Sequence, residues 1–316
     1  MRAGAAPLHD RLAEGPPGGR AVWLRAADGV RIRAALWPAP GARGVVVLLP
    51  GRTEYIEKYG RAARELVARG WSVLTLDWRG QGLADRALAD PMLGHVADFA
   101  EYQRDLDAAL GWLEVEAPGT ARLMPAHSMG GAIGLRALHR GLGFRAAAFS
   151  APMWGIRMPL WRLPAAQVLS RIPLKLRRDL DYAPTTSGIS YLRLAGFDGN
   201  HLTGDPAMWD YMRRHAAEVE AFGLGGPSLA WVRAAMRETR ALMAAPAPGV
   251  PALVALGTRE RIVLPRPVHR RLADWRQAQL EIFPDARHEV LMERPEARGR
   301  FLDHADGLFG AALERG

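Results

Sequence analysis

The sequence predicts an α/β fold built on a mostly parallel sheet and interrupted late by a long insertion. Three observations carry that prediction. Short apolar runs alternate with longer helical stretches, the pattern of strand–helix units that pair in parallel. The interval between Ala151 and Pro246 is too long for a simple crossover and must hold an inserted unit. Finally, Ser128, Glu260 and His288 each follow a strand-like run, in that order.

Taken in sequence, residues 21–25 and 30–37 read as an opening hairpin, because the Asp28-Gly29 pair between them suits a tight turn. Residues 45–49 form the next strand, followed by a helix near 56–69, a strand over 72–78 and a helix near 96–115. The run 121–125 is the strand that delivers Ser128, and the Ala/Gly/Leu-rich stretch after it is a helix. Strands over 146–151, 250–256 and 278–283 complete an eight-stranded sheet, and a helix over 295–313 ends the fold. The core is therefore assigned to residues 1–150 and 246–316, and a helical cap to residues 151–245. In open sheets of this kind ligands bind at the carboxyl ends of the strands, where the candidate residues fall.

The segment Ala126-His127-Ser128-Met129-Gly130 has small residues two before and two after the serine. A strand-to-helix turn that pushes a hydroxyl clear of its own backbone needs them there. A serine hydroxyl is a poor nucleophile at neutral pH; an imidazole must take its proton, and a carboxylate must hold that imidazole in the right tautomer. His288, on a strand-exit loop, is the expected base, and Glu260, four residues past the end of its strand, the expected carboxylate. Asp285 is a rival, placed awkwardly on the same loop as His288. The order serine, acid, histidine is that of the α/β-hydrolase fold. An oxyanion hole is expected from two backbone N–H groups, those of Met129 and Arg52; Pro50 has no N–H to give.

Several blocks together resemble the bacterial lysophospholipase and monoacylglycerol lipase group of α/β-hydrolases. They are Leu-Pro-Gly-Arg-Thr-Glu-Tyr-Ile-Glu-Lys-Tyr over 49–59, Asp-Trp-Arg-Gly-Gln-Gly over 77–82 and Gly-His-Val-Ala-Asp-Phe over 94–99. The blocks His-Ser-Met-Gly-Gly over 127–131 and Gly-Thr-Arg-Glu-Arg-Ile-Val over 257–263 complete the set. The resemblance runs from about residue 20 to the C-terminus. It departs from the group at Pro50, where many relatives carry histidine, at Ala126 in place of the elbow glycine, and at Glu260 in place of the commoner aspartate. It implies hydrolysis of the esters of single-chain lipids by a serine enzyme. The broader group also contains peptidase-like members, whose amine-bearing substrates would need acidic groups in the cap, such as Glu218 or Glu220.

With 316 residues and 49% hydrophobic content the chain can bury a large core. It has no cysteine, which excludes disulfides, thiolate metal sites and a cysteine nucleophile. The absence of an apolar leader leads to the expectation of a cytoplasmic protein. The formal charge of +9 is almost all arginine spread along the chain, with Lys58 and Lys175 the only lysines, so no nucleic-acid partner is expected. No nucleotide fingerprint occurs, and His95, His201 and His215 lack metal-ligand spacing, so neither cofactor nor metal is expected. Arg79 is expected to brace the loop after its strand, on carbonyls or on Asp77.

Large apolar side chains crowd the insertion: Met153, Trp154, Met158, Leu160, Trp161, Leu163, Trp209, Tyr211, Met212, Phe222 and Trp231. Most are expected to pack, the rest to line an acyl pocket. Residues 159–178 mix Trp and Leu with only positive charge, which suggests a peripheral contact with an anionic membrane surface. A non-catalytic binding protein of the same fold is the reading from another class.

Overall fold

A computed structural model of the chain describes residues 3–157 and 179–315. One nine-stranded sheet runs through it in the order β1-β2-β3-β5-β4-β6-β7-β8-β9. The strands are β1 (Gly4–Ala6), β2 (Arg20–Arg25), β3 (Arg31–Trp37), β4 (Gly44–Leu48), β5 (Trp71–Asp77), β6 (Arg122–His127), β7 (Phe144–Ser150), β8 (Ala252–Gly257) and β9 (Ala278–Phe283). Pairing is antiparallel from β1 through β3 to β5, and parallel from there to β9. The eight expected strands are all present. The ninth, β1, is a Gly-Ala-Ala segment laid against Ala21 to Trp23, too short and too small in side chain to give an alternating signal.

The helices are α1 (Asp10–Ala13), α2 (Gly60–Ala68), α3 (Ala100–Glu116), α4 (Met129–His139), α5 (Tyr191–Leu194), α6 (Pro206–Glu218), α7 (Leu229–Ala244), α8 (Pro265–Asp274) and α9 (Pro295–Glu314). The helix expected near 56–69 is split, with a 3-10 turn over Ile56–Tyr59 before α2. That expected from 96 starts at Ala100, because Glu101 Oε1 accepts the N–H groups of Ala97 and Asp98 and fixes a turn before it. α8 had no counterpart in the sequence reading; its two prolines look like breakers, yet both lie in the first turn, where no N–H is needed.

Alternate side chains of the central strands enter two separate apolar layers. Val46, Leu48 and Val73 meet α2 and α9 on one face, while Val45, Val47, Leu74 and Leu76 meet α3, α4 and α7 on the other. Burial on both faces is what makes these strands near-continuous apolar runs. Between β7 and β8 the described residues carry α5, α6 and α7. Met208, Trp209, Tyr211 and Met212 of α6 join the layer of α2 and α9, and Trp231 of α7 joins the layer of α3 and α4. Met158, Leu160, Trp161, Leu163 and the whole cationic stretch 159–178 lie outside the described residues.

Arg79 does not brace Asp77. It pairs with Asp105, Asp28 and Glu101, while Asp77 takes the Arg33 guanidinium at 2.8 Å and the N–H groups of Ile56 and Leu83. The cause is register: Arg33 on β3 faces Asp77 directly across the β3–β5 ladder.

Candidate active site

Ser128 sits between β6 and α4 with φ 48° and ψ −114°, a conformation that non-glycine residues rarely hold. The turn is fixed from both sides. Its N–H donates to Ser150 O on β7, and its carbonyl accepts from Gly131 and Met153. A Cβ on Gly130 would lie 2.2 Å from Leu49 O and 2.5 Å from Pro50 O, so only glycine lets the helix start press against the loop after β4. The extra methyl of Ala126 is buried on the side of Gly134, where α4 has no side chain to oppose it. Ser128 does not cap α4; its Oγ–H donates to His288 Nε2 at 2.9 Å.

His288 lies on the loop after β9, and its Nδ1–H donates to Glu260 Oε2 at 2.7 Å. All three side chains are buried. Burial pushes the Glu260 carboxyl up, but the His288 bond and the N–H groups of Ile262 and Val263 outweigh it, and the net direction is downward. Asp285 is excluded from this chain of bonds: it is exposed and paired with Arg259 at 2.7 Å. The loop after β4 is drawn beside Ser128 because His127 N–H donates to Leu49 O and Leu49 N–H to Pro125 O. Gly51 N–H is taken by the Glu54 carboxylate, whereas the Arg52 N–H has no acceptor among the described residues. Met129 opens α4, so its N–H has no carbonyl a turn behind it.

Sequence reasoning missed a buried polar cluster next to this chain. Lys58 Nζ bridges Glu54 Oε1 and Glu289 Oε1, both at 2.8 Å, and Tyr59 O–H donates to Glu54. Burial pushes the Glu54 carboxyl up, but the Lys58 ammonium and the bonds from Lys58 and Tyr59 together outweigh it and hold the carboxyl at about 2. Burial and the Glu54 charge push Glu289 the other way. His127, edge-on to the His288 ring at 4.7 Å, is pushed down to about 3, chiefly by burial, and stays neutral. Glu54, His127 and Glu289 together offer atoms close enough for a metal ion, but the Lys58 ammonium already occupies the cationic position between the carboxylates. The Glu54–Lys58 spacing of one helical turn was visible in the sequence. Glu289, from the far end of the chain, was not.

A cavity of about 420 Å³ opens over Ser128 and His288. Met153, Phe222 and Trp231 line it, whereas Trp154, Trp209, Tyr211 and Met212 pack into the core instead. Glu218 is paired with Arg11, and neither it nor Glu220 lines this cavity. His95 bonds to Ser228 Oγ and His215 to Leu12 O, both as structural partners.

Residues 40–295 match the family model described as serine aminopeptidase, S33. The chain belongs to that family. This S33-family chain is 34% identical to lysophospholipase L2 of Escherichia coli K12 over 282 residues, covering 86% of this chain and 82% of that protein. It is 26% identical to a probable lysophospholipase L2 of Haemophilus influenzae, covering 85% of each. Among solved structures, a soluble variant of monoglyceride lipase from Saccharomyces cerevisiae, in complex with a substrate analogue, superposes with a TM-score of 0.70 at 21% identity, covering 90% of this chain and 93% of that one. The last likeness establishes the α/β-hydrolase fold. No helix among the described residues is long and apolar enough to cross a membrane.

Proposed function

We propose that the protein is a serine hydrolase that cleaves the carboxylic ester of a single-chain lipid, a lysophospholipid or a monoacylglycerol. The observation that carries this reading is the unbroken bond chain from Ser128 Oγ through His288 to Glu260, set under a cavity lined largely by apolar side chains. The names of the relatives support the lipid ester as substrate. Ser128 Oγ attacks the acyl carbon while its proton passes to His288 Nε2, and Glu260 stabilises the imidazolium. The N–H groups of Arg52 and Met129 hold the oxyanion. His288 then protonates the leaving glycerol oxygen, and a water molecule activated by the same imidazole releases the fatty acid. Residues 151–245 act as the cap that shapes the acyl pocket over a core of 1–150 and 246–316. Their basic stretch 159–178 brings the enzyme to anionic membrane surfaces.

An aminopeptidase reading, which the family description invites, requires a carboxylate free to bind the substrate amine. Glu54 and Glu289 line the cavity, but both share the Lys58 ammonium, so the ester reading is favoured. The deciding experiment compares wild type with Ser128→Ala on a lysophospholipid, a monoacylglycerol, a short p-nitrophenyl ester and an aminoacyl amide. Ester turnover that falls by about 10⁴-fold or more in the variant, with an unchanged melting temperature, is expected. Cleavage of the amide alone would replace this reading with the peptidase. No turnover and no labelling by a fluorophosphonate would leave a non-catalytic binding protein.

A further inference from the structure

Arg52 is a half-buried cation, its Nε atom fully enclosed, that no carboxylate among the described residues neutralises. Arg33 is met by Glu57 and Asp77, and Arg79 by Asp105, Asp28 and Glu101. The buried Arg271, like Arg52, donates to a backbone carbonyl, but it lies outside the cavity over Ser128. Arg52 has no ion pair among the described residues, and residues 158–178 contain no aspartate or glutamate that could supply one. Its Nη2–H donates to Gly225 O at 2.7 Å, its guanidinium lies 5.3 Å from the centre of the Trp231 ring, and its Nε–H is buried without an acceptor. Room for the guanidinium exists only because residue 94 is glycine; a Cβ there would come within 2.4 Å of Nη2. Burial lowers its pKa to about 10, which leaves it charged at neutral pH.

Two more unpartnered polar groups belong to residues that line the same cavity. Tyr55 Oη and Ser190 Oγ are buried with no partner, and both residues line the cavity that holds Ser128. The segment 222–225 ties the three together. Tyr55 stacks on Phe222 at 4.1 Å, Ser190 Cβ lies 3.9 Å from the position of a Cβ on Gly223, and Gly225 O receives Arg52. Burial raises the Tyr55 pKa well above 10, so its hydroxyl keeps a proton to donate. The carboxylates in the cavity, Glu54 and Glu289, are committed to Lys58. A fixed cation, two hydroxyl donors and an unused guanidinium N–H, all short of acceptors, suit an anion with several exposed oxygens.

We propose that Arg52, with Tyr55 Oη and Ser190 Oγ, forms a subsite for the phosphodiester of a lysophospholipid headgroup while Ser128 attacks the acyl ester. This rests on the ester-hydrolase reading above and narrows it: the preferred substrate carries a phosphate, and a neutral monoacylglycerol leaves the guanidinium unsatisfied. Selectivity of this kind arises because a site built to bond a polar group rejects the analogue that lacks it.

The test measures the ratio of kcat/KM for lysophosphatidylcholine over a monoacylglycerol with the same acyl chain. In Arg52→Gln the ratio is expected to fall about tenfold to hundredfold, the range of a charge-assisted hydrogen bond. Arg52→Lys should restore part of it, and Ser190→Ala should lower it severalfold. Labelling by a fluorophosphonate reports in each variant whether the nucleophile is still assembled, which separates misfolding from lost recognition. Binding of hexadecylphosphocholine to Ser128→Ala, with and without Arg52→Gln, tests the subsite independently of turnover. A ratio unchanged in Arg52→Gln, or equal losses on both lipids, would overturn the subsite. If wild type cleaves neither lipid, the ester reading fails, and the hexadecylphosphocholine titration still decides the role of Arg52: affinity unaffected by Arg52→Gln refutes it.

Discussion

The two oxygens of Glu260 do separate work. Oε1 accepts the N–H groups of Ile262 and Val263, the latter at 3.0 Å, while Oε2 accepts Nδ1–H of His288. The backbone bonds anchor the longer side chain, so a glutamate reaches the imidazole without losing its orientation. Replacing Glu260 by glutamine keeps the shape but offers His288 an amide that favours the wrong tautomer. By analogy with serine proteases, kcat for an ester substrate should fall by roughly 10³- to 10⁴-fold, with labelling by a fluorophosphonate slowed in proportion. A loss of less than tenfold would show that some other carboxylate orients the base. The nearest rival in sequence, Asp285, is held in solvent by Arg259.

At the scale of elements, the site depends on the contact between the start of α4 and the loop after β4. Gly130→Ala would thrust a methyl group onto two backbone carbonyls, Leu49 O and Pro50 O, neither of which can swing aside as a side chain would. The loop that carries Arg52 must then part from the turn that carries Ser128. Overpacking of this sort costs about 1–3 kcal/mol, and a displacement on the order of 1 Å between reacting groups costs about 10²-fold in rate. Gly130→Ala is therefore expected to lower the melting temperature by several degrees and to slow fluorophosphonate labelling at least about tenfold; wild-type labelling would refute the close approach. What the sequence revealed follows the same division. Strands buried on both faces announce themselves as Val/Leu runs, and the turn around Ser128 announces itself through its small residues. The Lys58–Glu289 bridge joins residues 231 positions apart, and no local pattern could have indicated it. The three donors along segment 222–225 were equally invisible, because each is ordinary alone and becomes unusual only when buried beside the others.

Across the whole molecule, the segment between β7 and β8 is fastened to the elements around the sheet by buried polar contacts as well as apolar ones, and these make stability depend on pH. His215 of α6 is fully buried. Its Nε2–H donates to Leu12 O at 2.7 Å, Nδ1 has no partner, and the rings of Tyr55 and Tyr211 pack beside it. Protonation would add a buried N–H with no acceptor, and burial accordingly pushes its pKa down to about 4, against about 6.5 in the unfolded chain. Between those values the unfolded state binds a proton that the folded state refuses. The contribution of His215 is therefore intact above about pH 6.5 and is lost as pH falls toward 4, with a slope of up to about 1.4 kcal/mol per pH unit. Other groups titrate in the same range with the opposite sign; burial raises Asp105 to about 6, and protonating that carboxyl favours the folded state. The overall melting curve thus mixes the two, and the difference between wild type and His215→Gln isolates one. The glutamine retains an N–H for Leu12 O but does not titrate, so the stability of wild type relative to the variant should decline steadily from pH 7 to pH 5 in urea titrations. A difference that stays constant over that interval would mean that α6 releases His215 to water as it protonates, and that the anchor between α6 and the segment around Leu12 is looser than its burial implies.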